Sequence, residues 1–311
     1  MRREISKTDR RVLVHGLPYF GRIFADFMNG SGWEFRYYPD VGIGNLALIV
    51  RELAACDVVY QLGGRVTQGR FLRAARLLRK KKLVMHWLGS DVLDDRRSGL
   101  AGNGDPWVVQ QIQHWAQSDW MLKEVTQLGV RCDLVPFPSA LVPDAPLPLP
   151  KQFRVLVYMP TVERAELYGL DRILSVARSL PEVSFDLVGL LDGPIIDAPN
   201  NLSIHGRIDN LLNFYRSCCV VWRPTRHDGV SWMVLEAIGH GRHVLWTYPF
   251  PGCIQVNDWQ DARDHISRLY DLHRRGELRI NEAGVSVSAN GYEPKRLRAN
   301  IRSKLEKLLE A

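Results

Sequence analysis

A proline-rich segment divides the sequence into two halves with the same alternation of strands and helices, and this alternation restricts the fold most. Between Val135 and Lys151, prolines stand at positions 136, 138, 143, 146, 148 and 150, which excludes a helix or a central strand there. On both sides of it, short apolar runs alternate with amphipathic segments, as in α/β folds with parallel sheets. We predict an N-terminal Rossmann-like domain over 1–145, a linker over 135–151 and a C-terminal Rossmann-like domain over 152–311.

The pattern of apolar residues also locates the individual elements. In the N-terminal half we expect strands at 11–15, 33–38, 57–61, 83–87 and 118–122, and helices at 22–28, 43–53, 69–82, 107–116 and 123–128. In the C-terminal half we expect strands at 154–159, 184–190, 202–205, 219–223 and 244–247, and helices at 170–179, 209–217, 258–274 and 293–309. Ligands of open α/β sheets bind beyond the carboxyl ends of the strands, so each half would present loops to a cleft between the domains. The last helix could cross back to the N-terminal domain.

Composition restricts the kinds of partner and the cellular compartment that we expect for this protein. The 311 residues carry a formal charge of +7, which favours anionic partners such as nucleotides or phospholipid surfaces. Five scattered cysteines without a Cys-x-x-Cys pair argue against a disulfide framework or a zinc site. The apolar runs are too short to span a bilayer, and the charged start lacks an apolar signal segment. We therefore expect a cytoplasmic protein.

Much of the excess positive charge lies in one predicted helix. Arg70, Arg73, Arg76 and Arg79 repeat every third residue within 69–82, opposite apolar residues. This stripe is either the solvated face of a helix that covers a sheet, or a contact with anionic lipids at the inner face of the cell membrane. It lacks interleaved exposed aromatic residues, so we do not expect a nucleic-acid partner.

The segment 223–244 carries the clearest chemical signal. It predicts a buried strand, a polar turn, a short helix and a second strand. Asp228 in the turn and Glu236 in the helix are eight positions apart, roughly 12 Å of helical rise. The helix start near Gly229–Trp232 offers unpaired N–H groups and a positive dipole end, which suit a phosphate. This arrangement suggests a nucleotide-sugar site.

Several segments of the C-terminal half resemble the nucleotide-sugar domain of retaining glycosyltransferases with the GT-B fold, of the family-four type. The similarity is carried by 201–207 (Asn-Leu-Ser-Ile-His-Gly-Arg), 211–216, 220–224 and 228–241. It is closest to a bacterial subgroup with the pattern His-Asp-Gly-x-Ser-x-Met-Val-Leu-Glu-Ala. In the other half, 86–91 (His-Trp-Leu-Gly-Ser-Asp) is similar to a strand-end loop of the family. The resemblance implies two Rossmann-like domains that face a central cleft.

The resemblance also implies roles on the donor side. Glu236 would accept hydrogen bonds from the ribose hydroxyls, and Asp228, which replaces a glutamate, would approach the donor sugar. The amides of Gly229, Val230 and Ser231 would face the sugar and the diphosphate, beside His227. Gly206 and Arg207 would lie next to the base.

The cation for the diphosphate departs from the family pattern. The usual Gly-Arg…Lys-Gly signature is absent, and Tyr168 stands where the family has lysine. Arg164 is the best candidate for this cation, with Arg226 second. On the acceptor side, the resemblance points to His86 as a catalytic group and to Gly16 and Asp91.

Each of these roles has a structural alternative. Asp228 could be a helix-dipole partner, and Glu236 could be satisfied by an arginine instead of a ligand. His86 and Asp91 could stabilise loops, and His227 could cap its turn. Gly16 could serve a simple turn, and Arg164 could be a surface residue.

The function implied is transfer of a sugar from a nucleoside diphosphate sugar to a glycan or lipid-linked acceptor, with retention of configuration. No Asp-x-Asp motif lies in a suitable loop, so helix amides and arginine would stabilise the leaving group. We expect no metal ion and no cofactor besides the donor substrate. The alternative is a GT-B-like nucleotide-sugar-binding or scaffold protein with weak or no turnover. A Rossmann dehydrogenase is disfavoured, since no Gly-x-Gly-x-x-Gly follows a strand.

Overall fold

The computed structural model describes residues 10–39, 46–78, 82–100, 102–139, 143, 145–190, 195 and 197–310. The chain divides into two compact units. Unit 1 comprises Met1–Ala140 and Pro294–Ala311, and unit 2 comprises Leu141–Glu293.

Unit 1 is built around a parallel sheet of six strands in the order β2-β1-β3-β4-β5-β6. The strands are β1 (Arg10–Gly16), β2 (Trp33–Tyr38), β3 (Val58–Leu62), β4 (Leu83–Trp87), β5 (Gln113–Ala116) and β6 (Cys132–Leu134). The helices are α1 (Pro18–Met28), α2 (Leu46–Ala55), α3 (Arg70–Leu77), α4 (Ser90–Arg97), α5 (Pro106–Gln111) and α6 (Asp119–Gln127). Every residue of β3 and β4 is buried, because helices cover both faces of such a sheet.

Unit 2 repeats this plan with a parallel sheet in the order β12-β11-β10-β7-β8-β9. The strands are β7 (Arg154–Tyr158), β8 (Ser184–Val188), β9 (Leu202–Ile204), β10 (Val220–Arg223), β11 (His243–Trp246) and β12 (Ile254–Gln255). The helices are α7 (Ala165–Tyr168), α8 (Leu170–Ser179), α9 (Leu212–Ser217), α10 (Trp232–Gly239), α11 (Trp259–Arg274) and α12 (Glu282–Gly291), with a 3₁₀ turn at Val162–Arg164 before α7. Apolar residues of β7, β8 and β10 form its core with α8 and α11.

The last helix, α13 (Pro294–Glu310), belongs to unit 1 although it follows unit 2 in the chain. Leu297, Ile301 and Leu305 form its buried stripe. Arg302 donates to the carbonyl of Met28 at the end of α1.

Two predicted elements of unit 1 are wrong. The helix expected at 107–116 ends at Gln111, and 113–116 form β5 between β4 and β6. Pairing with two neighbouring strands outweighs the local helical preference at this buried position. The strand expected at 118–122 is instead the start of α6, and Ser118 precedes it as the N-cap residue, a helix-start signal.

The basic stripe is exposed where the structure describes it. The side chains of Arg70, Arg73 and Arg76 on α3 face solvent, and the Arg76 guanidinium lies 5.3 Å from the centre of the Trp107 ring. Arg79 lies outside the described residues. Leu77, the last residue of α3, is 82% exposed. Within the described ranges, every helix is too short or too polar to cross a membrane.

Candidate functional site

The site lies in unit 2, at the carboxyl ends of the two central strands, β7 and β10. The chain leaves β7 for β8 and β9 on one side and returns to β10 on the other. Such a reversal opens the crevice in which doubly wound sheets bind ligands. The loops that follow β7 and β10 touch, because the Arg226 amide donates to the Leu167 carbonyl at 2.8 Å. A Cβ atom on Gly169 (φ +72°) would lie 2.5 Å from the Pro224 carbonyl oxygen, so this approach requires glycine.

Asp228 is fixed in the loop after β10 by an ion pair. Its Oδ2 lies 2.5 Å from Nε of Arg223, the last residue of β10. The Thr225 hydroxyl donates to the same oxygen at 3.3 Å, and the Asp228 amide donates to the Tyr248 hydroxyl at 3.0 Å. The carboxylate expected at the donor sugar is therefore held by a buried arginine.

The Arg223 guanidinium is surrounded by aromatic rings as well as by this carboxylate. Its Cζ lies 5.3 Å from the centre of the Tyr168 ring and 5.6 Å from that of Tyr158. Burial lowers the pKa of Arg223, but the charge and hydrogen bond of Asp228, together with Tyr168 and Tyr158, outweigh burial and raise the pKa above its ordinary value. Arg223 therefore keeps its charge in the folded protein.

Glu236 is a buried carboxylate in a helix whose residues are all buried. The Tyr215 hydroxyl donates to its Oε2 at 3.0 Å. Burial raises the pKa of Glu236 to about 7, although the hydrogen bond from Tyr215 opposes the rise. Within the described part of the chain, no lysine or arginine forms an ion pair with Glu236.

The start of α10 has few side-chain contacts of its own. Its N-cap residue, Ser231, makes no side-chain capping bond, and the first turn has no acidic residue. The first amides of a helix lack internal partners and carry partial positive charge. Gly229, Val230 and His227 are buried in the loop before it. The helix start can therefore accept an anionic ligand.

The two predicted cations occupy different environments. Arg226 donates through Nε to the Glu166 carbonyl at 2.9 Å and through Nη2 to Asp171 at 2.9 Å. These bonds tie its side chain to α7 and α8. Arg164 is exposed at the end of the 3₁₀ turn after β7.

The predicted base-side residues follow β9. Gly206 has a φ of +66°, and its carbonyl accepts from the Gly189 amide at 2.7 Å. Arg207 is exposed and pairs with Asp209 at 3.2 Å. His205, the residue before Gly206, lies 2.7 Å from the Asp186 carboxylate. This contact anchors the loop to β8.

His86, the predicted catalytic group of unit 1, is enclosed by groups of the same unit. Its side chain is fully buried. Nε2 lies 2.8 Å from the Val135 carbonyl and Nδ1 lies 2.7 Å from the Tyr60 hydroxyl. Burial lowers the pKa of His86 to about 3, so the ring is neutral. The network assigns the proton to Nε2, which donates to Val135, while Nδ1 accepts from Tyr60.

The contacts of Asp91 are those of its structural alternative. Its carboxylate accepts from the amides of Gly64 at 2.5 Å, Leu88 at 3.0 Å and Gly89 at 2.7 Å. Burial raises the pKa of Asp91, and the amides oppose this rise. Asp91 thus joins the loops that follow β3 and β4.

Gly16 is required by close packing at the end of β1. Its φ is +106°, and a Cβ atom would lie 1.9 Å from the Leu62 carbonyl oxygen at the end of β3. Its own carbonyl accepts from the Tyr37 hydroxyl at 3.0 Å. The strand order reverses between β1 and β3, so Gly16 shapes the crevice of unit 1.

The sequence did not single out Arg223, Tyr215 or Tyr248. For Arg223 a signal existed, because an arginine at the end of the apolar run Val-Val-Trp needs an anionic partner nearby.

Among the described residues, no group of three or more His, Cys, Asp or Glu side chains could hold a metal ion.

Comparisons with known proteins identify the fold. No family model matches the sequence, and no curated protein sequence matches it. Solved structures match it over nearly its whole length. HepE from Anabaena, solved in complex with UDP-glucose, is 13% identical, with a TM-score of 0.70 over 96% of this chain and 99% of that one.

Two further solved structures agree. Sucrose-phosphate synthase from Thermosynechococcus elongatus is 11% identical, with a TM-score of 0.71 over 97% of this chain and 99% of that one. A glycosyltransferase from Rickettsia africae is 10% identical, with a TM-score of 0.63 over 97% of this chain and 99% of that one. Identities this low establish the fold alone. The predicted α/β class is confirmed, and the chain has the GT-B fold with two Rossmann-like units.

Proposed function

We propose that this chain is a glycosyltransferase that moves a sugar from a nucleoside diphosphate sugar to a glycan or lipid-linked acceptor. The observation that carries the proposal is Glu236, a buried carboxylate without a cationic partner among the described residues, on the helix that follows a central strand. A buried charge needs compensation, and ribose hydroxyls would supply it. The solved structures support this choice, since HepE was crystallised with UDP-glucose and also with UDP and glucose.

The proposed chemistry follows from where negative charge develops. As the glycosidic bond of the donor breaks, the diphosphate gains charge, and donors already in place stabilise it best. The amides of Gly229, Val230 and Ser231 at the start of α10 would supply part of this stabilisation, and Arg164 could add a positive charge. Gly206 and Arg207 would lie beside the base. Transfer would proceed with retention, as the family resemblance implies, and without a divalent ion, since no Asp-x-Asp motif lies in a suitable loop.

The acceptor would bind to loops of unit 1, such as the one that Gly16 and Asp91 shape. The exposed arginines of α3 would hold the protein at the cytoplasmic face of an anionic membrane, where a lipid-linked acceptor is found. Flotation with phosphatidylserine vesicles tests this part. Charge reversal of Arg70, Arg73 and Arg76 should abolish flotation, because each basic residue contributes about 1 kcal/mol near such a surface. Reversal of Arg268, Arg274 and Arg275, which are exposed on and just after α11, should leave it unchanged; equal effects would contradict the membrane contact.

Thermal unfolding with UDP, GDP, ADP and their sugars tests the donor site. A ligand present at 100 times its Kd should stabilise the protein by about 2.7 kcal/mol, so one nucleotide should raise the melting temperature. Glu236→Ala should remove that rise. If no nucleotide shifts the melting temperature, the donor-site proposal fails.

A second candidate is a nucleotide-sugar-binding protein with weak or no turnover. The observation in its favour is Asp228, whose carboxylate is engaged by Arg223 where the resemblance places a longer glutamate at the donor sugar. It predicts nucleotide binding without hydrolysis or transfer of the sugar. The two candidates differ in whether free nucleotide is released. This release is measured with the sugar nucleotide that raises the melting temperature most.

A further inference from the structure

Arg223 is a charged group buried at the ligand-binding edge of unit 2 without full use of its donors. It is the last residue of β10, at the carboxyl end of a central strand. Its side chain is 9% exposed. Removing a guanidinium from water is costly unless its donors are used, so this position needs a reason.

A comparison with Arg242 shows how incompletely Arg223 is satisfied. Arg242 is fully buried in the same unit, and its guanidinium donates to the carbonyls of His240, Cys218, Leu147 and Pro148. Arg223, in contrast, makes one hydrogen bond to the described residues, from Nε to Asp228. A guanidinium has five N–H donors, so the four on Nη1 and Nη2 remain.

The contacts of Arg223 with the described residues involve its Nε and the faces of its guanidinium. Asp228 engages the Nε side, and the Tyr158 and Tyr168 rings lie near the guanidinium. Rings that flank a guanidinium orient it without using its in-plane donors. Two Nη groups side by side form the fork that binds phosphate through two parallel hydrogen bonds.

The other two cations near these loops are placed differently. The guanidinium of Arg226 is bonded to Glu166 and Asp171, and Arg164 is exposed on its turn. The amides at the start of α10 follow Asp228 by a few residues and are not capped by a side chain.

We propose that Arg223 binds the diphosphate of the donor through its Nη groups, and that Asp228 serves as the counter-ion that holds Arg223 in place. This inference rests on the proposed function and assigns the cation to β10. It also explains why residue 228 is an aspartate, since the short side chain places its carboxylate 2.5 Å from Nε of Arg223. Asp228 then acts as a positioning residue.

Calorimetric titration of the full chain with uridine, UMP and UDP tests the assignment. R223M/D228N removes both charges together, so that no buried aspartate is left unpaired. We expect it to lower UDP affinity about 10- to 100-fold, the range of a charge-assisted hydrogen-bond pair, and to leave uridine affinity within about twofold. D228N keeps Arg223 and should retain UDP affinity within about threefold. R178M, at an exposed arginine of α8, is the control and should bind all three ligands like the wild type.

The outcomes separate the inference from the proposed function. If wild-type protein binds no nucleoside diphosphate of any base, the proposed function fails and the inference falls with it. Only the inference is overturned if wild-type protein binds UDP but R223M/D228N lowers the affinities for uridine and UDP equally. The same holds if it lowers neither affinity. An equal loss in D228N would assign the effect to Asp228 instead. Should the double variant not fold, R223K keeps the ion pair and loses the fork. R223K should lower UDP affinity about three- to tenfold without changing uridine affinity. An unchanged UDP affinity would overturn the proposal.

Discussion

Glu236 makes the stability of this protein depend on pH in a direction that can be worked out. Burial raises its pKa from 4.5 to about 7 in the folded state. Between these values the folded protein holds a proton on Glu236 that the unfolded chain has released. Stability therefore falls as pH rises through this window, because the unfolded state binds fewer protons. The pKa difference corresponds to about 3 kcal/mol, at 1.36 kcal/mol for each pH unit.

Replacing Glu236 with glutamine should remove this dependence. Glutamine resembles the protonated carboxyl in shape and carries no charge at any pH. The free energy of unfolding of E236Q relative to wild type should thus increase by about 2.5 kcal/mol between pH 5 and pH 8. The variant should be more stable than wild type at pH 8 and yet bind nucleotide less tightly, since ribose hydroxyls would lose a charged acceptor.

Urea unfolding followed by tryptophan fluorescence measures the effect, and comparing the two proteins at each pH cancels the other titrating groups. E163Q, at an exposed glutamate of the 3₁₀ turn after β7, should show no such change between pH 5 and pH 8. A difference between E236Q and wild type that is the same at both pH values would refute the reasoning, because it would mean that Glu236 does not ionise in a buried site.

Two further predictions concern residues that hold unit 2 together. Arg242→Ala should lower the free energy of unfolding by about 3 kcal/mol, because buried carbonyls lose their donor, whereas the exposed Arg275→Ala should change it by less than about 0.5 kcal/mol; chemical denaturation gives both values, and similar ones would contradict the role of Arg242. Gly169→Ala should cost more than Gly276→Ala in the same assay. Both glycines have φ near +70°, but only Gly169 has a neighbour, Pro224, within 4 Å of a Cβ atom. The control, Gly276→Ala, should lower the free energy of unfolding by about 1 kcal/mol because of its backbone conformation alone. Equal losses for the two substitutions would rule out a close approach at Gly169.

The segment from β10 to β11 could be predicted from sequence because its signals are local. An apolar run, a polar turn and a helix start follow one another within 223–244, and the structure has β10, α10 and β11 there. The contacts of Asp228 could not be predicted, since they depend on which side chains the fold brings to this loop. Arg223 is five positions away, but Tyr248 comes from beyond β11.

The burial of His86 could not be predicted for a different physical reason. A strand with one solvated face shows alternating polarity, which tells which side chains point outwards. All five residues of β4 are buried, so its sequence carries no such alternation. A histidine near the end of this strand therefore looks like a ligand-facing group, although its ring is enclosed between Tyr60 and Val135.

The place of α13 has a consequence for the order in which the protein can fold. Unit 2 is one continuous stretch, but unit 1 needs residues from both sides of it. During synthesis, domains usually fold as they emerge, the N-terminal one first. Here unit 1 becomes complete only when α13, whose apolar stripe includes Ile301 and Leu305, has been made after unit 2. Unit 2 can therefore be complete in the growing chain before unit 1 has its last helix.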